Sequence, residues 1–112
     1  MNRLPNYIEG ADMKENVHPI LLQGARFSSR EEAHSYLAQA LALPDWYGKN
    51  LDALYDALGD LVTPTLIVLI RPELVKQNLG EYGDRLIQVL RDSAKENAGL
   101  YFRLRPVQTS KS

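Results

Sequence analysis

The sequence predicts a small α/β domain in which a three-stranded parallel sheet packs with three to four helices. Three observations carry that expectation. Short apolar runs suited to strands recur at Ile20-Leu21-Leu22, at Leu66 to Ile70 and at Leu100 to Leu104. The chain between successive runs holds helical patterns, and helical crossovers favour parallel strands with right-handed connections. The length, 112 residues, suits one domain with a single core that needs no covalent staples.

Residues 1–17 are polar and aperiodic, with Pro5 and Gly10 as breakers, and are read as an extension outside the core. Tyr7 and Ile8 within it could dock on the domain, which is expected to span 18–106. The first strand lies between Pro19 and Gly24. Ser28 and Ser29 each stand three residues before a glutamate, two registers of a capping box that starts a helix. Ala33, Leu37, Ala40 and Leu41 line one side of it, and Pro44 ends it. After Gly48, Asn50 is the N-cap of a second helix, with Leu51, Leu54, Leu58 and Leu61 on one face. Gly59 and Pro64 bracket its end. Leu66 to Ile70 is apolar at successive positions, the pattern of a strand covered on both faces by helices. Residues 73–79 suit a short helix stopped by Gly80. A longer one is expected from about Asp84 to Asn97, with Leu86, Val89, Leu90 and Ala94 as its stripe. Leu100-Tyr101-Phe102-Arg103-Leu104-Arg105 alternates, so it is a more exposed strand with Leu100, Phe102 and Leu104 inward. Residues 107–112 read as a frayed tail.

Composition excludes several classes. The absence of Cys removes disulfides, thiolate catalysis and Cys-based zinc sites. The first nine residues show no apolar stretch of a secretory leader, and Leu66 to Ile70 is far too short to cross a bilayer. A cytoplasmic location is therefore expected. The net charge of −1 gives no preference for nucleic acid or membrane. Its distribution is uneven: residues 44–60 carry Asp45, Asp52, Asp56 and Asp60 against Lys49 alone.

Catalytic patterns are missing. His18 and His34 have no nucleophile motif near them and are read as solvated. The glycines match no phosphate loop. Asp52, Asp56 and Asp60 are spaced by four, so they share one helix face opposite the leucine stripe. Spacing alone reads this row as a solvated acidic face. Two aspartates on an exposed helix are too few hard ligands for a metal site, and no cofactor is expected. Trp46, Tyr47 and Tyr55 cluster with these acids, which would repel a phosphate backbone but would suit a basic protein partner.

The stretch Pro44-Asp45-Trp46-Tyr47-Gly48-Lys49-Asn50-Leu51-Asp52-Ala53-Leu54-Tyr55-Asp56-Ala57-Leu58 closely resembles the signature of the barstar family, intracellular inhibitors of small microbial ribonucleases. The element order over residues 19–105 is similar to that family's as well. The resemblance implies a binding protein, not an enzyme, whose partner is a small basic ribonuclease or nuclease toxin. It implies a monomer when free. Trp46 takes the place of a loop aromatic that packs on the nuclease's catalytic edge. Asn50, Leu51 and Asp52 match the helix start that enters the active-site mouth, and Tyr55 stands where the family has a larger aromatic. Asp56 matches the acid that enters the phosphate site, and Asp92 matches a supporting acid on the last helix. Tyr47 and Asp60 complete the expected partner-binding set. Lys49 departs from the pattern by placing a cation inside an acidic loop.

Overall fold

The computed structural model describes residues 17–107 of the chain. Apart from Val17 and Val107, the expected extension and tail lie outside the described residues, Tyr7 and Ile8 included. Strands β1 (His18–Gln23), β2 (Thr65–Ile70) and β3 (Leu100–Arg105) form a parallel sheet in the order β1-β2-β3. Four helices connect them: α1 (Arg30–Ala40), α2 (Leu51–Gly59), α3 (Pro72–Leu79) and α4 (Glu81–Glu96). A 3-10 turn at Gly24–Arg26 precedes α1. The three-stranded parallel sheet packed with helices is thus present as expected. Pro19 fits within β1 because this is an edge strand and its missing N–H falls on the unpaired side.

The expectation that helices cover β2 on both faces is corrected. In register, Ile20, Ile67 and Phe102 lie side by side, as do Leu22, Leu69 and Leu104. These residues belong to, or pack on, one core with Phe27, Leu37, Leu54, Leu58, Val75, Leu86 and Leu90 from the helical layer. Leu21, Leu66, Val68, Ile70 and Tyr101 project the other way; Val68 is buried between its neighbouring strands' side chains and Leu66, Ile70 and Tyr101 are half-buried, but none of them joins that core. The topology explains it. With the order β1-β2-β3, both crossovers step in the same direction, and right-handed connections then fall on the same face of the sheet. Helices on both faces require a strand order that reverses direction. Apolar residues on both faces of β2 cannot reveal that order.

Local signals place most helix ends. Ser29 caps α1, its Oγ accepting the Glu32 N–H at 3.1 Å. Ala42 adopts a left-handed conformation (φ 54°) just past the helix, and the Leu43 N–H donates to Ala38 O at 2.8 Å. That six-to-one bond is a Schellman closure with alanine in the usual glycine position. Helix α4 starts at Glu81, three residues before the expected Asp84. Gly83 therefore lies inside the helix, where it is a packing residue. A Cβ there would lie 2.6 Å from the Val75 carbonyl oxygen, so glycine permits the close approach of α3 and α4. Gly80, at φ 61°, makes the corner between them. Among the described residues, no helix is long and apolar enough to cross a membrane.

Candidate functional site

The segment between α1 and α2, the outer face of α2 and the last turns of α4 form one continuous surface. Its base is fixed from inside. Tyr47 is buried, and its hydroxyl shares a 2.6 Å hydrogen bond with His34 Nδ1. His34 Nε2 is 2.7 Å from the hydroxyl of Tyr82 on α4. One imidazole thus ties α1, the α1–α2 loop and α4 together. The expectation of a solvated His34 is corrected: it is 1% exposed. Position 34 lies three residues before Leu37, on the margin of the apolar stripe. Two tyrosine hydroxyls satisfy both ring nitrogens, which removes the usual penalty for burying them. Burial first, and then the charge of Lys49, hold the His34 pKa below its ordinary value. Burial raises Tyr47, with a further contribution from Tyr82. Burial also raises Tyr82, against the opposing effect of Arg30 and Arg85; the Arg30 guanidinium lies 4.2 Å from its ring centre.

The loop is then turned outward at Trp46. The Tyr47 N–H closes a turn on Pro44 O at 3.0 Å. With Tyr47 pointing in, Trp46 points out and is 80% exposed. Lys49 takes a left-handed backbone conformation (φ 56°). Asn50 follows as N-cap of α2: its Oδ1 accepts the Ala53 N–H at 2.8 Å and its Nδ2 donates to Gly48 O at 3.3 Å. The cap fixes the rotation of α2 about its axis. Leu54 and Leu58 face the core, Leu51 is half-buried, and Asp52, Tyr55, Asp56 and Asp60 face solvent.

Asp56 and Asp60 form a ridge between two depressions. On one side a cleft of about 450 Å³ lies between α2 and the end of α4, lined by Tyr55, Asp56, Asp60, Ser93, Glu96 and Asn97 among others. On the other side an apolar cleft of about 390 Å³ is lined by Leu43, Pro44, Trp46, Ala53, Ala57 and Leu61, with the same two aspartates on its rim. The Tyr55 hydroxyl donates to the Glu96 carboxylate. That bond is the first cause of a raised Tyr55 pKa, followed by burial and then the charges of Glu96, Asp92 and Asp56. Asn97 Nδ2 donates to Leu58 O at 3.1 Å, fastening the end of α2 to α4. Asp92 is half-buried and accepts from Gln88 Nε2 at 2.9 Å.

The expected residues therefore fall into groups. Tyr55, Asp56 and Asp60 meet around the first cleft, and Trp46, Asp56 and Asp60 around the second. Asn50, Leu51 and Asp52 stand together at the other end of α2, in a shallow groove with Arg30, Glu31, Lys49 and Arg85. Asp92 does not line the cleft, and Tyr47 supports the surface from beneath it. Glu96 was missed by sequence reasoning; its signal was the spacing of four from Asp92 on a helix already singled out. No three His, Asp or Glu side chains converge as a metal site among the described residues.

A model of the barstar family, described as barstar (barnase inhibitor), matches residues 17–106. The chain belongs to the barstar family. A Bacillus subtilis (strain 168) protein named "Putative ribonuclease inhibitor YrdF" is similar to it, 37% identical over 81 residues, which cover 71% of this chain and 89% of that protein. The barstar match takes in the α1–α2 loop, α2 and α4, so the whole candidate surface lies within the shared domain. Residues 1–16 lie outside it.

Proposed function

We propose that this barstar-family chain is a cytoplasmic inhibitor of a small basic ribonuclease and acts by stoppering its active site, without catalysis of its own. The observation that carries the reading is the Asp56–Asp60 ridge. Two carboxylates stand exposed on a capped helix, with a third acid, Glu96, across the cleft and an apolar hollow with Trp46 behind. A ribonuclease holds cationic side chains to bind phosphate. A rigid carboxylate that enters that place makes charge-assisted hydrogen bonds with them. Trp46 and the apolar cleft supply the desolvated contact that a pair of charges alone lacks. Opposed fields speed encounter. Asp56, between the two clefts, is the central contact, with Trp46, Tyr55, Asp52 and Asp60 around it.

Calorimetric titration against small basic ribonucleases tests this. Tight one-to-one binding is expected, with loss of nuclease activity. Asp56→Ala is expected to cost about 2–5 kcal/mol, roughly thirty- to several-thousand-fold in Kd; barstar with barnase is itself among the cases behind that range. Intact affinity of Asp56→Ala for a nuclease the native chain inhibits would refute the assigned geometry.

A second reading has one observation in its favour. Asp52 shares its groove with Lys49, Arg30 and Arg85, so this end of the surface is of mixed charge. That suits a protein partner other than a ribonuclease, one with a patterned surface. Capture of such a partner, with binding abolished by Lys49→Glu and untouched by Asp56→Ala, would favour it.

A further inference from the structure

The start of α2, away from the Asp56–Asp60 ridge, gathers cations instead of acids. Arg30, Lys49 and Arg85 line one shallow groove there with Glu31, Asp52 and Tyr82. The three cations surround the same buried pair of side chains. The Arg30 guanidinium lies 4.2 Å from the Tyr82 ring centre. The charges of Arg30 and Arg85 both reach the Tyr82 hydroxyl. The charge of Lys49 reaches His34, which is hydrogen-bonded to that hydroxyl. All three cations are exposed, and none forms an ion pair among the described residues.

The two acids in the groove do not cancel this charge, because each already has a counter-charge. Glu31 is in the first turn of α1 and Asp52 in the first turn of α2. There the positive end of a helix dipole holds a carboxylate. The cations stand in the opposite relation to the same dipoles. Arg30 is the first residue of α1, and Lys49 directly precedes Asn50, the N-cap of α2. Both lie where the dipole disfavours a cation. The ridge does not offset them either. Counted along α2, Lys49 is about 10 Å from Asp56 and farther from Asp60, beyond the screening length of about 8 Å at physiological salt. The surface therefore has two poles of opposite sign that act separately.

We propose that this groove receives a carboxylate of the partner, an aspartate or glutamate on the rim of the ribonuclease's active site, and so selects which ribonucleases the chain accepts. The role assigned to the groove rests on the ribonuclease reading of the ridge and adds a second point of recognition to it. With Asp56 in the phosphate site, the partner's carboxylate lies about 10 Å from that site, over the start of α2. Lys49 and Arg85 make the contact, and Arg30, held against Tyr82, strengthens the field behind them. A nuclease with a lysine or arginine at that place on its rim meets three cations and is rejected. A phosphate backbone running from the groove along α2 would meet the ridge acids, whereas a single carboxylate on a folded surface does not.

Calorimetry at physiological salt, with a small basic ribonuclease that the native chain inhibits, tests this. Lys49→Glu and Arg85→Glu, each shown to be folded by its urea midpoint, are expected to raise Kd by about tenfold or more, and Lys49→Gln by less. Rim carboxylates of the nuclease are then replaced by lysine one at a time. One of these replacements should weaken the native complex and restore binding to Lys49→Glu. Unchanged or tighter binding by both glutamate variants, or a rim with no such reciprocal position, would overturn the proposal, while Asp56→Ala reports separately on the ridge. Loss of binding with Lys49→Glu but not with Asp56→Ala would also overturn it, because the partner would then bind without the ridge. A native chain that inhibits no small basic ribonuclease would sink the ribonuclease reading, and the groove's role with it.

Discussion

Replacing His34 with Gln should flatten the dependence of this protein's stability on pH below neutrality. In the folded state the ring is 1% exposed and both nitrogens are engaged by tyrosine hydroxyls. A neutral imidazole offers one donor and one acceptor, so one hydroxyl donates to it and the other accepts. Protonation makes both nitrogens donors. The hydroxyl that donated must turn its proton away, and the Tyr47 hydroxyl lies in the core with little room to do so. The new charge is also poorly solvated and close to Lys49, the two effects that hold the folded pKa below the unfolded value of 6.5. The sign follows. Between the lowered folded pKa and 6.5 the unfolded chain binds more protons, so stability rises with pH across that window. The contribution is complete above 6.5 and is lost as pH falls below it. The slope from one such group is at most about 1.4 kcal/mol per pH unit. Carboxylates add their own slope at lower pH, so the informative quantity is native minus His34→Gln. Urea denaturation at a series of pH values from about 7.5 down to about 5 gives it. At the upper end His34→Gln should itself cost about 1–3 kcal/mol, because the amide oxygen and nitrogen do not point where the two ring nitrogens point, and a hydroxyl they miss is left buried and unpaired. Parallel pH profiles for the two proteins, or a native protein that gains stability on acidification, would refute the argument.

Three other substitutions probe the frame and the ridge. Asn50→Ala should lower stability by about 1 kcal/mol and Asn50→Gly by only a few tenths; equal losses in urea midpoints would mean that the cap bond to Ala53 is not what holds the start of α2. Gly83→Ala gains up to about 1 kcal/mol of helix propensity but sets a Cβ against the Val75 backbone oxygen. The net effect should be a loss of about 1–3 kcal/mol, and a rise in midpoint would show that α3 and α4 can separate freely. Asp60→Asn should raise the stability of the free protein by a few tenths to about 1 kcal/mol. It should also slow association with a basic ribonuclease, most of all at low salt, in stopped-flow measurements.

Much of this molecule is legible in its sequence, and the omissions share a cause. Strands and helices were readable because apolar spacing and caps are local: Ser29, Asn50 and Pro44 act within a few residues. The acidic row was readable because positions four apart share a helix face. What lay beyond reach depends on partners distant in the chain. The burial of His34 requires Tyr47 and Tyr82, supplied from 13 and 48 residues away. The helical role of Gly83 requires the Val75 backbone opposite it. Glu96 enters the site only because α4 packs beside α2. The single-sided sheet follows from strand order, which neither hydrophobicity nor propensity encodes. Spacing alone reads the acidic row as a solvated face; the expectation that it binds a partner rests on the resemblance of residues 44–58 to the barstar family.

The acidic ridge carries an electrostatic cost that the domain does not offset internally. Asp56 and Asp60 are one helical turn apart, and α2 has no basic residue in its last turn. Asp60 is the C-cap, where the helix dipole is negative. Glu96 faces them across the cleft, and none of the three has a cationic partner among the described residues. By contrast, Arg71 pairs with Glu73 and Lys76 with Asp84. Each like-charge or dipole conflict costs a few tenths to about 1 kcal/mol, against a total stability of about 5–15 kcal/mol for a domain of this kind. Asparagine at position 60 would relieve part of it with no change in shape. A local conflict with no local compensation is what a binding surface carries when its counter-charge belongs to another molecule. In the proposed complex, a cationic site closing over the ridge would remove the repulsion present in the free protein. Relief of that repulsion would then add to the attraction between the proposed partners. Stability and affinity should therefore move in opposite directions at Asp56 and Asp60. At Asn50, Gly83 and His34, which hold the surface without carrying its charge, they should fall together.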